Sequence, residues 1–220
     1  MSASRLEPLS AEAFAEAENV SRETLERLRA FLALLERWQS RINLVGRSTL
    51  DDPWRRHILD STQLAPLVEG PVVVDLGSGA GMPGLVLAIF NPELTMHLIE
   101  SDARKCAFLR EAARETAAEV KIHHSRIESL PPFVADTVVA RALAPLTQLL
   151  EWGAKFTPRV YLFPKGKDAE LELTESTKKW RFQVEHIPSR TDPHATILRL
   201  REVDHVQPNL RYRQPEGRRR

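Results

Sequence analysis

Residues 72–84 read VVVDLGSGAGMPG, and few architectures accommodate such a run. Three β-branched residues, Val72, Val73 and Val74, lead to an acid, Asp75. Glycines follow at alternate positions, Gly77, Gly79 and Gly81, and Gly84 opens the apolar run Leu85-Val86-Leu87-Ala88-Ile89-Phe90. The pattern is strand, glycine turn, helix. Glycine lacks a Cβ and takes positive φ, so the turn can be tight and its backbone can lie against a ligand. The N–H groups at the start of a helix have no partner within it and can bind a polar or anionic group. Glu100 closes the next apolar run, Met96-His97-Leu98-Ile99, where an acid can accept from both hydroxyls of a ribose. Together these features predict a site for an adenosine-containing cofactor on a doubly wound sheet. The bland alternative is a turn with no ligand, but alternating glycines weaken a fold unless they serve something.

Two cofactors fit such a turn. The segment from Gly79 to Gly84 matches the dinucleotide pattern G-x-G-x-x-G, and Glu100 lies 19 positions after Gly81, as a nicotinamide site requires. The longer pattern, Asp75-x-Gly77-x-Gly79-x-Gly81, resembles the first motif of S-adenosylmethionine-dependent methyltransferases. In that class the acid helps orient the methionine part of the cofactor. The run also sits in mid-chain, behind a long helical segment, which favours the second reading.

Composition narrows the class. The chain has 220 residues, 42% hydrophobic and 28% charged, enough for one α/β domain with an extension. No apolar run reaches the ~20 residues of a membrane span, and the N-terminus lacks the apolar centre of a signal peptide. A lone cysteine, Cys106, excludes a disulfide framework and fits a reducing cytoplasm. Its helical surroundings read as those of a small buried hydrophobe. No His/Cys cluster has metal-ligand spacing, so no metal is expected. Net charge is only +1, but its distribution is uneven. Arg37, Arg41, Arg47, Arg55, Arg56 and His57 crowd the segment before the sheet, and five arginines crowd the last ten residues.

Periodicity divides the chain in three: a helical segment over 1–69, an α/β domain over 70–203, and a basic tail over 204–220. Leu25, Leu28, Phe31, Leu32, Leu35 and Trp38 recur at spacings of three and four, one apolar face of a helix. Ser21 is a candidate N-cap, with Thr24 in place of the capping-box acid. Pro53 suits the first turn of a second helix. Strands are expected at 72–76, 95–100, 120–124, 136–141, 159–164, 181–187 and 195–201, with amphipathic helices between. Alternating strands and helices imply a parallel sheet covered on both faces. The link between the last two strands is too short for a parallel crossover, so they form an antiparallel hairpin. Seven strands, mostly parallel, with a terminal antiparallel hairpin, resemble the class I methyltransferase (Rossmann-like) fold.

What receives the methyl group is narrowed by elimination. The segment after the fourth strand, Arg141-Ala142-Leu143-Ala144-Pro145, lacks the Pro-Pro-aromatic loop of enzymes that methylate adenine amines. Cys106 is not placed as a cytosine-attacking nucleophile. No general base stands out, which suits a target with a free lone pair.

The chain also resembles a specific family, RsmG (GidB), the bacterial 16S ribosomal RNA guanine-N7 methyltransferases. The likeness covers roughly residues 30–200. It rests on Trp38-Gln39-Ser40-Arg41-Ile42-Asn43-Leu44, on Arg56-His57-Ile58-Leu59-Asp60-Ser61, and on Gly77-Ser78-Gly79-Ala80-Gly81-Met82-Pro83-Gly84. Ser125-Arg126-Ile127-Glu128, Ala140-Arg141-Ala142 and Lys165-Gly166 follow in the family's order. The first 20 residues and the arginine tail match no family pattern. The resemblance implies S-adenosylmethionine as cofactor and 16S rRNA, or a small-subunit particle, as partner. It places Gly77, Met82, Ile127, Glu128 and Arg141 at the cofactor, beside the Asp75, Ser78, Gly79, Gly81 and Glu100 of the first motif and second strand.

The residues support those roles without settling them. Ile127 and Glu128 follow the third strand, where such folds hold the adenine. Arg141 closes the fourth strand, where an arginine can pair with the cofactor carboxylate or an RNA phosphate, or stand in a salt bridge. It is the candidate positioning residue, and no certain catalytic residue emerges. Arg56, His57 and Asp60 share a helical face, either as an ion-pair network or as a wall of the cleft. Arg41, Arg47, Arg56, His57, Lys165 and Lys167 are candidate RNA contacts, and Trp38 is either core or a stacking platform. Guanine N7 points into the A-form major groove, too deep and narrow for side chains, so the target base should be unpaired or exposed. A monomer is expected. A small-molecule methyltransferase and a nicotinamide oxidoreductase remain alternatives.

Overall fold

A computed structural model describes residues 7–206. Helix α1 (Ala11–Ala17) starts at Ser10, whose hydroxyl accepts from Ala13 N–H. Helix α2 (Arg22–Gln39) starts at Ser21, which caps Thr24 N–H as its sequence suggests. A 3-10 turn (Arg47–Asp51) and a wide π turn (Trp54–Leu59) lead into the short α3 (Asp60–Thr62). Pro53 stands at the start of the π turn.

The sheet alternates with helices thereafter: β1 (Val72–Leu76), α4 (Gly84–Phe90), β2 (Thr95–Glu100), α5 (Ala103–Glu115), β3 (Val120–His124) and β4 (Thr137–Val139). Helix α6 (Leu146–Gly153), β5 (Val160–Lys165), α7 (Ala169–Ser176), β6 (Trp180–Pro188) and β7 (Thr196–His205) complete it. The seven strands lie in the order β3-β2-β1-β4-β5-β7-β6. The first five run parallel, and β7 runs antiparallel to both β5 and β6. The strand order reverses between β1 and β4, so the crevice at their carboxyl ends is where a ligand of such a sheet sits.

Side chains alternate across the sheet and build one core on each face. Val73, Leu98, Val139 and Leu162 pack with Phe14, Leu28, Phe31, Leu35, Leu85 and Phe108. Val74, Leu76, Val138 and Phe163 pack with Leu146, Leu150, Leu173 and Trp180 on the other. The helices before residue 69 thus share a core with the sheet. Trp38 meets Phe108 edge-on, with centroids 5.8 Å apart, and serves that core rather than a stacking platform.

Two strand boundaries differ from expectation by more than one residue. The fourth strand ends at Val139, not 141, because its last pairing is Asp75↔Val139 and β1 turns away at the glycines soon after. Ala142, three residues on, takes φ +50°. The seventh strand continues to His205, past the expected start of the tail, because its ladder with β6 runs to Trp180↔His205. The remaining tail, with Arg211, Arg213, Arg218, Arg219 and Arg220, lies outside the described residues. Among the described residues no helix is long and apolar enough to cross a membrane, and no group of His, Cys, Asp and Glu could hold a metal.

Candidate cofactor site

The carboxyl ends of β1, β2 and β4 open onto a cleft of about 860 Å³. Its floor is the glycine turn. Gly77, Gly79 and Gly81 all take positive φ, at +63°, +54° and +80°. A Cβ on Gly77 would lie 2.5 Å from Leu143 Cδ1, so the turn passes directly beneath the segment after β4. Gly79 N–H donates to Glu100 Oε2 at 2.9 Å, and Ser101 and Asp102 N–H donate to Glu100 Oε1 at 2.7 Å each. Three backbone donors therefore fix the carboxylate in one orientation at the end of β2. About one of its four acceptor lobes stays free for a hydroxyl. Gly77, Ser78, Gly79, Met82 and Glu100 all line the cleft.

Asp75 and Gly81 do not. Asp75 is fully buried behind the turn, where its Oδ2 accepts from Gly84 N–H at 3.1 Å. Burial pushes its carboxyl up to about 7, and Oδ1 has no partner. The acid of the motif braces β1 against α4, with its carboxylate behind the turn. Gly81 is likewise packed inward, where a Cβ would stand 3.0 Å from Leu85 Cβ.

The second wall comes from the 3-10 turn after β3. Ile127 and Glu128 both line the cleft. Lys155 Nζ donates to the carbonyls of Ile127 at 2.9 Å and Glu128 at 3.2 Å, leaving the Glu128 side chain exposed. Ser125 N–H donates to Glu100 O at 3.0 Å, tying this turn to β2.

The third wall joins residues far apart in the chain. Arg141 Nη1 donates to Asp60 Oδ2 at 2.8 Å and to Arg56 O at 3.1 Å. Both side chains are less than a fifth exposed, at 19% and 18%, yet both line the cleft. The ion-pair network and the cleft wall, separate possibilities in the sequence, are one structure here. Arg56 itself pairs loosely with Asp192, 3.7 Å away, and is 41% exposed.

His57 is buried, with Nε2 3.0 Å from Thr49 Oγ1. The Thr49 hydroxyl donates its proton to Gly46 O at 2.6 Å, so it accepts from His57 Nε2–H. Nδ1 is then a bare acceptor, buried without a partner. Burial first, and the charge of Arg141 second, push the imidazole down to about 4. His57 is a buried, neutral element of the wall.

A pH dependence follows from that value. Between the ordinary histidine value of about 6.5 and about 4, the unfolded chain binds a proton at His57 that the folded chain refuses. Stability is therefore unaffected by His57 above pH ~6.5 and falls as pH drops through that window, by up to ~1.4 kcal/mol per pH unit. Urea unfolding at pH 7, 6 and 5 should show a slope that His57→Gln reduces by one proton. An unchanged slope would contradict the assignment.

The other candidate RNA contacts separate into two groups. Lys165 is only 9% exposed and is occupied, donating to Glu172 Oε2 at 2.7 Å and Ala144 O at 2.9 Å. It braces the segment after β4 and lines the cleft with two of its three donors taken. Arg41, Arg47 and Lys167 are exposed, with no ion pair among the described residues, and lie outside the cleft lining. Arg37 is paired with Glu115, and Arg55 with Asp52.

Some lining residues were not among the candidate site residues. Leu44, Val45, Gly46 and Thr49 form part of the wall, and Lys105 and Arg126 add two cations to it. Gln39 shapes that wall: its Oε1 accepts from Leu44 N–H at 2.9 Å and Val45 N–H at 3.0 Å, and its Nε2 donates to Val45 O at 2.8 Å. The signal was a glutamine at a helix end before an apolar Leu-Val-Gly, too short to read as an element. Cys106 is buried, its Sγ 3.3 Å from Glu100 O, as expected of a packing residue.

A sheet of this order, with β7 antiparallel to both β5 and β6 and a glycine turn after β1, is the class I methyltransferase fold. A solved S-adenosylmethionine-dependent methyltransferase from Aquifex aeolicus superposes with a TM-score of 0.54 at 16% identity, covering 70% of this chain and 95% of that one. S-adenosylmethionine is the cofactor, and the positive-φ turn, the held Glu100 and the half-free Arg141 fit its backbone contacts, ribose and carboxylate. Within that class the chain belongs to the GidB family, rRNA small subunit methyltransferase G, which matches residues 24–197. The ribosomal RNA small subunit methyltransferase G of Rhodospirillum rubrum is 55% identical over 197 residues, 87% of this chain and 97% of that protein. That of Rhodospirillum centenum is 56% identical over 195 residues, covering 86% and 89%.

Proposed function

We propose that the chain methylates N7 of a guanine in the 16S rRNA of the small ribosomal subunit, in the cytoplasm. The observation that carries the reading is family membership over residues 24–197 together with a cofactor cleft edged by cations. When bound, S-adenosylmethionine supplies an electrophilic methyl group. The chain has to hold its donor, present the base and exclude water. The backbone of the glycine turn and the fixed Glu100 do the first. Arg56, Lys105 and Arg126, which line the cleft, and Arg41, Arg47 and Lys167 outside it, attract the RNA backbone, so binding should weaken with salt.

The absence of a poised base among these side chains supports N7, whose ring lone pair carries no proton to remove. Glu100 and Asp60 are each committed to several donors, and His57 stays neutral and tied to Thr49. Proximity and orientation alone can supply up to ~7–11 kcal/mol of the barrier. The single-turnover rate with saturating RNA should therefore be nearly flat from about pH 6.5 to 8.5. Asp75 titrates inside that window, but it is sealed behind the turn and lines no part of the cleft. A rate that climbs tenfold with one ionisation contradicts the reading. The direct test is nucleoside mapping of 16S rRNA from cells lacking the protein. One N7-methylguanine should disappear and return on re-expression. A methyl on an exocyclic amine or on carbon would overturn N7.

A further inference from the structure

Arg141 is held by a chain of polar groups that comes from the loop between β6 and β7. Asp60 Oδ2 takes the arginine, and Oδ1 accepts from Thr191 Oγ1 at 2.5 Å and Gln63 Nε2 at 3.1 Å. The Thr191 hydroxyl spends its single proton on Asp60, so the Ser189 hydroxyl, 3.0 Å away, donates to it. Gln63 Oε1 accepts from Arg190 N–H at 2.9 Å, fastening the same loop. Gln63 and Thr191 are buried, at 4% and 8% exposure, so these are not rim contacts. Proton directions are thus determined along the whole series, from Ser189 to Thr191 to Asp60, with Arg141 at its end.

The consequence lies in what the series leaves open. Only Nη1 of Arg141 is bonded, to Asp60 and to Arg56 O. Nε and Nη2 have no partner among the described residues and are not sealed from solvent, and the residue lines the cleft. Those two nitrogens form the side-on edge of the guanidinium, the edge that takes a carboxylate in two parallel bonds. The arginine lies two residues past the end of β4, whose neighbour is the strand that opens into the glycine turn. A cofactor carboxylate therefore fits this edge better than an RNA phosphate, for which the more exposed Arg56 and the outer cations are placed.

We propose that Thr191 and Gln63, acting through Asp60, are positioning residues that aim the free edge of Arg141 at the carboxylate of the cofactor's methionine part. The inference rests on the cleft being the S-adenosylmethionine site, and it is independent of which RNA atom is methylated. Thr191→Val removes the hydroxyl at nearly constant volume. Asp60 then loses its shortest bond, and Arg141 is free to swing with it.

Calorimetric titration tests this with two probes: S-adenosylmethionine, and 5′-methylthioadenosine, which keeps the nucleoside but lacks the carboxylate. Arg141→Ala should weaken S-adenosylmethionine about tenfold or more, the scale of a bond to a charged group, and leave 5′-methylthioadenosine unchanged. Thr191→Val should weaken only S-adenosylmethionine, by about fivefold to tenfold, and Thr191→Ser should restore it. The double variant should bind no more weakly than Arg141→Ala alone, since one residue acts through the other. Wild-type affinity in Thr191→Val beside a weakened Arg141→Ala overturns the positioning role. So does equal weakening of both probes, or additive losses in the double variant, which would make Thr191 a scaffold. Unchanged S-adenosylmethionine binding in Arg141→Ala overturns the carboxylate contact itself, and a wild-type protein that binds neither probe overturns the site. If Thr191→Val does not fold, Gln63→Met is judged by the same outcomes.

Discussion

Gly79→Val is expected to abolish S-adenosylmethionine binding, by at least about 100-fold, in a protein that remains folded. Gly79 sits at φ +54°, a region that costs an L-residue roughly 1–2 kcal/mol and a β-branched one more. The nearest atom to an added Cβ is Gly77 O at 3.7 Å, so nothing in the protein collides with it. The side chain would instead project beside the cleft that this residue lines. Relaxation of the strained backbone would also pull Gly79 N–H from Glu100 Oε2 and release that carboxylate. Function and stability therefore separate at this position. Titration calorimetry and a thermal melt measure the two together. Binding within tenfold of wild type would remove the glycine turn from the cofactor site. A melting point lowered by more than about 10 °C would show a structural glycine instead.

The glycine turn was readable because it is local. Strand, turn and helix follow one another in thirteen residues, and the φ constraint acts on each glycine separately. The sheet was readable for a similar reason: β-branched runs spaced by amphipathic helices leave little choice but a parallel order, and a seven-residue link forces the last hairpin. The full burial of Asp75 was not legible because the direction of a strand side chain, towards a cleft or into the sheet's face, depends on register with β2 and β4. Lys165 read as a basic side chain beside Gly166 and Lys167, and its ties to Ala144 and Glu172 were not legible because both partners arrive from other elements. The third wall was legible only in fragments. Arg141 and Asp60 lie 81 positions apart, and Asp60 and Thr191 lie 131 apart, so no window of sequence contains the network. The family resemblance pointed to the Arg-His-Ile-x-Asp-Ser segment, but the loop that completes the network carries no motif at all.

Gly84 looks equivalent to Gly79 in the sequence, and the opposite outcome is expected from Gly84→Ala. A Cβ there would stand 2.6 Å from Leu98 Cδ2, 2.6 Å from Asp75 Oδ2 and 2.7 Å from Asp75 Cβ. All three atoms belong to buried side chains of β1 and β2, so no flexible end can move aside. Helix propensity favours alanine by about 1 kcal/mol. Overpacking opposes it with about 1–3 kcal/mol. Pushing Asp75 away also breaks its bond to Gly84 N–H and strands a second polar atom where Oδ1 already lacks a partner, at a further ~1–3 kcal/mol. The opposing terms leave a loss of about 3 kcal/mol, which for a chain of this size lowers the melting point by roughly 6–12 °C. Gly84 does not line the cleft, so below that temperature S-adenosylmethionine affinity should stay within about threefold of wild type. A melting point that holds or rises would mean that β1 and α4 can separate to admit a methyl group. Asp75 would then no longer count as the brace that sets the glycine turn against the sheet.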